Sequence, residues 1–193
     1  IGKSGFLNVA LDYLKQDYTF RPADPAIYDV YRNKFGDAAS ENFSSYANLS
    51  LNAGHNGKIY MFGGFNYRST AAYAYSRAAD EERNVKEIYP DGFDPLIKSV
   101  INDVSMGIGY KTLLNKWNID FSDVIGNNRF HFFVDNTLNS SLVEKTPTRF
   151  DAGGFSLTQN TLNLDLSRNF AVLEGLNIAF GTEYRVENYG IFS

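Results

Sequence analysis

Period-two alternation of apolar and polar side chains recurs in seven stretches of the chain, and the links between them are alternately short and long. Successive side chains of a strand point to opposite faces, so each stretch offers one face to an apolar medium and one to water. Residues 176–187 are the clearest case. Leu176, Ile178, Phe180, Tyr184 and Val186 form one series with Thr182 as its polar member, and Asn177, Ala179, Gly181, Glu183, Arg185 and Glu187 form the other. The remaining stretches repeat this. Leu7, Val9, Leu11 and Tyr13 oppose Asn8, Ala10 and Asp12; Ala47, Leu49, Leu51 and Ala53 oppose Asn48, Ser50 and Asn52. Val104, Met106, Ile108 and Tyr110 oppose Ser105, Gly107, Gly109 and Lys111; Trp117, Ile119 and Phe121 oppose Asn118, Asp120 and Ser122; Leu162, Leu164 and Leu166 oppose Asn163, Asp165 and Ser167. The third stretch, Ile59 to Arg68, alternates least cleanly, because Tyr60 and Phe62 stand in its polar series.

A soluble antiparallel sheet over a core alternates in the same way, so the links carry the next step. Short turns are expected at 55–57, 113–116 and 169–175, and long links at 21–43, 69–100 and 123–156. Short turns at one end and long loops at the other are the habit of transmembrane β-barrels. Tyr13, Phe65, Tyr67, Tyr110, Trp117 and Tyr184 sit near the ends of apolar series, where an interfacial ring satisfies both its apolar body and its polar tip. The expected fold is therefore all-β: an antiparallel transmembrane barrel segment of about seven strands, with Leu49, Leu51, Ile108, Leu164, Ile178 and Phe180 on one face and Asn48, Ser50, Gly109, Asp165, Ala179 and Glu183 on the other. The links around Pro25, Asp91 and Thr146 are expected at one end, and His55, Lys116 and Glu174 at the other.

Composition agrees with an alternating chain. No apolar run approaches the ~18 residues of a membrane helix, and mean hydropathy is −0.30. Cysteine is absent, which leaves no disulfide framework. The net charge of −4 carries no basic patch for nucleic acid. Single-chain bacterial barrels close with an even strand count, and an open sheet leaves two bare edges. The chain, which begins at Ile1, is accordingly expected to be one partial barrel domain over 1–193, an internal segment of a larger barrel.

A set of segments carries a family resemblance. They are Tyr89-Pro-Asp-Gly-Phe93, Phe132-Phe-Val-Asp-Asn-Thr-Leu-Asn-Ser-Ser-Leu142, Phe150-Asp-Ala-Gly-Gly-Phe155, Leu162-Asn-Leu-Asp-Leu-Ser-Arg168 and Asn177-Ile-Ala-Phe-Gly-Thr-Glu-Tyr-Arg-Val-Glu-Asn-Tyr189. The opening Gly5-Phe-Leu-Asn-Val-Ala-Leu-Asp-Tyr13 is similar to an early barrel strand of the same kind. Together they resemble the β-barrel of a TonB-dependent outer-membrane receptor, and the resemblance runs through nearly the whole chain. It implies a 22-stranded barrel in the bacterial outer membrane, plugged by an N-terminal domain. It also implies import of a scarce nutrient (an iron chelate, cobalamin or a glycan) powered through the inner-membrane protein TonB. No plug or TonB-binding segment is recognisable here, so energised transport is assigned to the parent barrel. The implied partners are outer-membrane lipid, TonB and a small-molecule or glycan substrate.

Other chemistry finds little footing. Gly107-Ile-Gly-Tyr-Lys-Thr112 lacks the GxxxxGK[ST] spacing of a phosphate loop, and its glycines are expected to leave room for a plug. His55 and His131, the only histidines, have no metal-ligand spacing. Asp80-Glu81-Glu82 and Asp91 with Asp94 are loop acids of the kind that bind calcium, read here as solvated loop tips. No serine–histidine–acid grouping or carboxylate pair points to an enzyme, so no catalytic residue, metal site or cofactor is assigned. Segments 70–77 and 128–135 combine rings with cations. Tyr73, Tyr75, Arg77 and His131 are the candidate substrate-binding residues, placed on extracellular loops. Two alternatives stand beside the transporter segment: a small passive outer-membrane barrel, favoured by an eighth strand within a long link, and a soluble β-sandwich binding module.

Overall fold

The computed structural model describes residues 5–21, 24, 26–27, 34–172 and 174–193. They form seven strands: β1 (Gly5–Gln16), β2 (Ala39–Ala53), β3 (Gly57–Tyr73), β4 (Leu96–Leu114), β5 (Trp117–Asp135), β6 (Arg149–Phe170) and β7 (Leu176–Phe192). Each pairs antiparallel with the next, in the order β1-β2-β3-β4-β5-β6-β7. The sheet is open: β1 and β7 are its edges and do not pair with each other.

The turns follow from local backbone chemistry. Leu114 pairs with Trp117 around Asn115 (φ 51°) and Lys116 (φ 68°). Two successive positive φ values make the type I′ geometry, whose twist suits a hairpin. Gly54 (φ 72°) opens the β2–β3 turn, and Glu174 (φ 61°) and Gly175 (φ 119°) close the β6–β7 turn. These short turns put His55, Lys116 and Glu174 at one end of the sheet. Asp91 and Thr146 lie in the long links at the other, as expected; Pro25 lies outside the described residues.

Register settles which residues share a face. Leu7, Leu49, Met61, Ile108, Asp123, Leu162 and Tyr184 form one lateral row, and Gly5, Leu51, Ile59, Tyr110, Phe121, Leu164 and Thr182 the next. Tyr60, Gly109, Ser122, Asn163 and Glu183 form a row on the opposite face. The two sets of side chains expected to separate do so. The apolar series is broken at Asp123, whose carboxylate accepts a 2.7 Å hydrogen bond from the Asn160 amide of β6.

The apolar series also drifts across the register. The row of Tyr13 reaches Gly190 on β7, yet the β7 series ends four residues nearer the short turns, at Val186; the row of Ile59 reaches Thr182, yet that series begins six residues earlier, at Leu176. With about 3.3 Å per residue and about 4.8 Å between strands, a drift of about one residue per strand inclines the strands by roughly 35° to the normal of the apolar band.

Two expectations are corrected. The strands run well past the alternating stretches, so the long connections shrink to residues 17–38, 74–95 and 136–148. Backbone pairing continues where hydropathy no longer alternates, through a bulge at Phe132/Phe133 opposite Gly153 (φ 69°). No eighth strand lies within the described residues of these links. Second, Gly107 and Gly109 do not leave open room. The rings of Phe62 and Tyr60 lie over them, and a Cβ at either glycine would fall inside the van der Waals shell of the ring. Tyr60 crosses β4 above Gly109, and its hydroxyl donates to Asp120 of β5 at 2.8 Å. Lys111 completes the group, 3.1 Å from Asp120 and 4.9 Å from the Tyr60 ring centre.

Gly109→Val is expected to destabilise the sheet by about 1–3 kcal/mol, the usual range for overpacking. Denaturant unfolding of the full-length protein in micelles measures this. Combining it with Tyr60→Ala should recover part of the loss; strictly additive losses would refute the packing assigned to this ring.

Candidate functional site

The long-loop end concentrates the chain's rings and cations. The 74–95 link is a small folded unit that continues the β3–β4 hairpin. Ala74 N–H donates to the Pro95 carbonyl at 2.8 Å, and Arg77 and Phe93 exchange backbone hydrogen bonds of 2.7 and 2.9 Å. The Asn84 amide donates to the carbonyls of Ala79 (3.1 Å) and Tyr89 (2.9 Å), which closes the loop on itself. Tyr89 stacks on Phe93 at 4.5 Å. Burial holds the Tyr89 phenol above its ordinary pKa. Val85 and Phe93 are the buried hydrophobic residues among those described, and both lie in this link.

Tyr75 and Arg77 project from this unit. The guanidinium lies 5.5 Å from the Tyr75 ring centre and 3.8 Å from Glu81. With Glu82 and Arg83 they line an open groove of about 650 Å³. Tyr73 belongs to a neighbouring cluster. Tyr18 and Phe20, just past β1, approach its ring at 5.0 and 6.2 Å, and Lys34 sits 4.7 Å over it. Burial first, then Tyr73, pushes the Tyr18 phenol above its ordinary pKa, so it stays a neutral hydroxyl at physiological pH. Two of the loop acids are engaged: Asp94 meets Lys34 at 3.9 Å and Ser76, and Glu81 meets Arg77.

His131 is elsewhere. Segment 128–135 is strand β5, not a loop, and register puts His131 on the face of the apolar series, in line with Val100. Its Nε2 is 2.6 Å from Asp151, and its ring meets Phe133 at 4.2 Å and Phe192 at 5.2 Å. Arg129 lies 4.1 Å over Phe192 on the same face. Thus Tyr75 and Arg77 come together, Tyr73 stands in an adjacent cluster, and His131 belongs to a separate patch.

The opposite, polar face holds an arrangement that alternation did not disclose. Phe130 meets Phe132 at 4.3 Å and Phe155 at 5.4 Å, and Phe155 stacks on Tyr189 at 6.2 Å. Ile101, Phe130, Phe155 and Ile191 form one lateral row there. A ring platform thus floors the polar face next to the long links. Ligands with flat apolar surfaces stack on such rings. Toward the short turns that face changes character, with polar groups such as Lys58, Asp120 and Asp165 around a groove of about 690 Å³. No known protein family, curated protein or solved structure matches the chain.

Asn84→Ala should loosen the 74–95 unit, because it removes a donor that holds two carbonyls; the cost is about 1–3 kcal/mol. Hydrogen exchange is expected to quicken at the Arg77 and Phe93 amides and to stay unchanged in β5 and β6. Unchanged exchange at Arg77 would mean that Asn84 does not hold the loop.

Proposed function

We propose that the chain is a wall segment of a larger β-barrel in the bacterial outer membrane, of the TonB-dependent receptor type, which imports a scarce nutrient such as an iron chelate, cobalamin or a glycan. The observation that carries this reading is the uncovered apolar face. Leu11 is 70% exposed, Tyr184 67% and Phe180 57%, in company with Val9, Val104, Met106, Ile108 and Phe121. Monomeric soluble proteins rarely leave apolar patches larger than a few hundred Å² in water. A sandwich would cover this face with a second sheet, and the described residues form one sheet.

Hydrocarbon covers such a face without any partner sheet. The roughly 35° inclination of the apolar band supports the same reading, since membrane barrel strands tilt by about 35–45°. So does the opposite face, where Asn8 donates to Asn48 at 3.1 Å and Asn66 to Asn42 at 2.9 Å, laddering polar side chains between strands. In this orientation the long links face outward, and the ring platform of Phe130, Phe132, Phe155 and Tyr189 lines the lumen near the mouth. Tyr75 and Arg77 lie in the link above it, whereas register puts Tyr73, the last residue of β3, on the same face as His131. His131 faces the membrane side and is withdrawn as a substrate contact. Energised uptake and the partnership with TonB belong to the whole barrel.

Leu164→Arg in the full-length protein should reduce folding into lipid vesicles far more than Asp165→Asn. An arginine facing lipid at the midplane costs about 2–4 kcal/mol, whereas a lumen change leaves the lipid contact intact. Equal yields would contradict the assigned faces. Orientation has its own check: a single cysteine at Asp91 should react with an impermeant thiol reagent on intact cells, and one at Asn56 should not. Labelling at Asn56 alone would invert the barrel.

A further inference from the structure

At the short-turn rim of the apolar face stands a cation without an anion. Arg168 of β6 pairs laterally with Ile178 of β7. Its guanidinium lies 4.6 Å from the Phe170 ring centre and 5.8 Å from that of Trp117. Trp117 in turn meets Phe170 at 6.2 Å and Phe180 at 5.7 Å, both edge to face. Two rings, from β5 and β6, thus flank one guanidinium, and Phe180 of β7 buttresses Trp117. The Arg168 row is followed on the turn-ward side by the Phe170–Leu176 row. Arg168 makes no ion pair among the described residues, and its Nε is buried without a hydrogen-bond partner. Lys116 and Glu174, in the two adjacent turns, are both exposed, and neither pairs with it. Of the basic side chains on the same face at the opposite rim, Lys98 and Arg149 meet Asp135 and His131 meets Asp151, while Arg129 lies over the Phe192 ring.

We propose that Trp117, Arg168, Phe170 and Phe180 form a binding site for the phosphate of an anionic phospholipid headgroup in the leaflet nearest the short turns. The inference rests on the membrane reading above and adds a lipid contact to it. Charge complementarity selects the occupant. A guanidinium fixed by rings keeps its fork of donors directed at whatever lies beyond the rim, and that fork matches a phosphate bidentately. The rings fit the same level, since tryptophan favours the boundary between hydrocarbon and headgroups. The Arg168 Nε is buried without a hydrogen-bond partner, which leaves the two terminal nitrogens as the donors available to a headgroup. A protein partner would need a carboxylate entering the bilayer rim, whereas an anionic lipid presents its phosphate there without being inserted.

The test uses Trp117 as reporter in the full-length protein, kept as the sole tryptophan, in vesicles containing brominated phosphatidylglycerol or brominated phosphatidylcholine. One basic side chain near the surface is worth about 1 kcal/mol toward anionic lipid, so association of the brominated phosphatidylglycerol should exceed that of phosphatidylcholine by about fivefold. Arg168→Gln should abolish the difference, Arg168→Lys should keep a part of it, and Arg149→Gln, at the far rim, should leave it unchanged. Quenching by both lipids without preference overturns the headgroup site and leaves the membrane reading standing. A preference that survives Arg168→Gln in a folded barrel also overturns the site. Absence of quenching by either lipid overturns the site and the membrane reading together.

Discussion

Lateral backbone hydrogen bonds do in this sheet what a hydrophobic core does in a soluble domain. Six antiparallel ladders run without interruption from β1 to β7, apart from the bulge at Phe132/Phe133. Neither face of the sheet is covered. In the proposed barrel an unpaired backbone polar group would cost several kcal/mol in hydrocarbon, so a wall whose apolar side chains face lipid must complete its ladders between strands. The side chains then need only suit the medium on each side. This explains why the strands continue beyond the apolar band: pairing is set by the backbone, and hydropathy is set by what lies outside.

That separation decides how much of the molecule was legible from sequence. The faces were, because period two is geometry and holds wherever a strand exists: Ile108, Leu164 and Ile178 share a face as the alternation required. The short turns were too, since Asn115-Lys116 between two alternating runs offers little chain for anything longer than a tight hairpin. Strand length was not. Residues 123–135 carry Asp123, Asn127 and Arg129 on the apolar face and Phe130 and Phe132 on the polar one, so alternation inverts there while pairing persists. The placement of His131 failed for the same reason: a segment taken for loop is strand, and its parity puts the imidazole on the face of the apolar series.

The glycines show a different limit. Small residues in a polar series suggest space, yet Gly107 and Gly109 are small because Phe62 and Tyr60 from the next strand lie across them. The sequence contained both halves of this arrangement: two rings that spoiled the alternation of β3, and two glycines on β4. Only register, which pairs Tyr60 with Gly109 and Phe62 with Gly107, makes them one feature. The result is a polar face on which the Tyr60 ring fills the space over Gly109 and its hydroxyl reaches Asp120 two strands away.

In the barrel proposed above, Asp123 is the hardest residue to reconcile with a lipid-facing surface. It lies in the row of Leu7, Leu49 and Ile108, which opens the series on β1 and falls inside it on β2 and β4. On β5 and β6 the band has shifted toward the short turns, where Trp117 and Phe170 mark its lower limit. The Asp123–Asn160 pair stands in the upper half of the band, about 16 Å above the level of Trp117 at about 3.3 Å per residue and a tilt of about 35°, with Asn127 and Thr158 hydrogen-bonded at 2.7 Å beyond it. The carboxylate is met there by an amide donor from the neighbouring strand, so it does not face lipid unpaired. In the proposed barrel the drift of about one residue per strand thus moves the polar pairs of β5 and β6 toward one side of a band of about 25 Å and brings Arg168 toward the other.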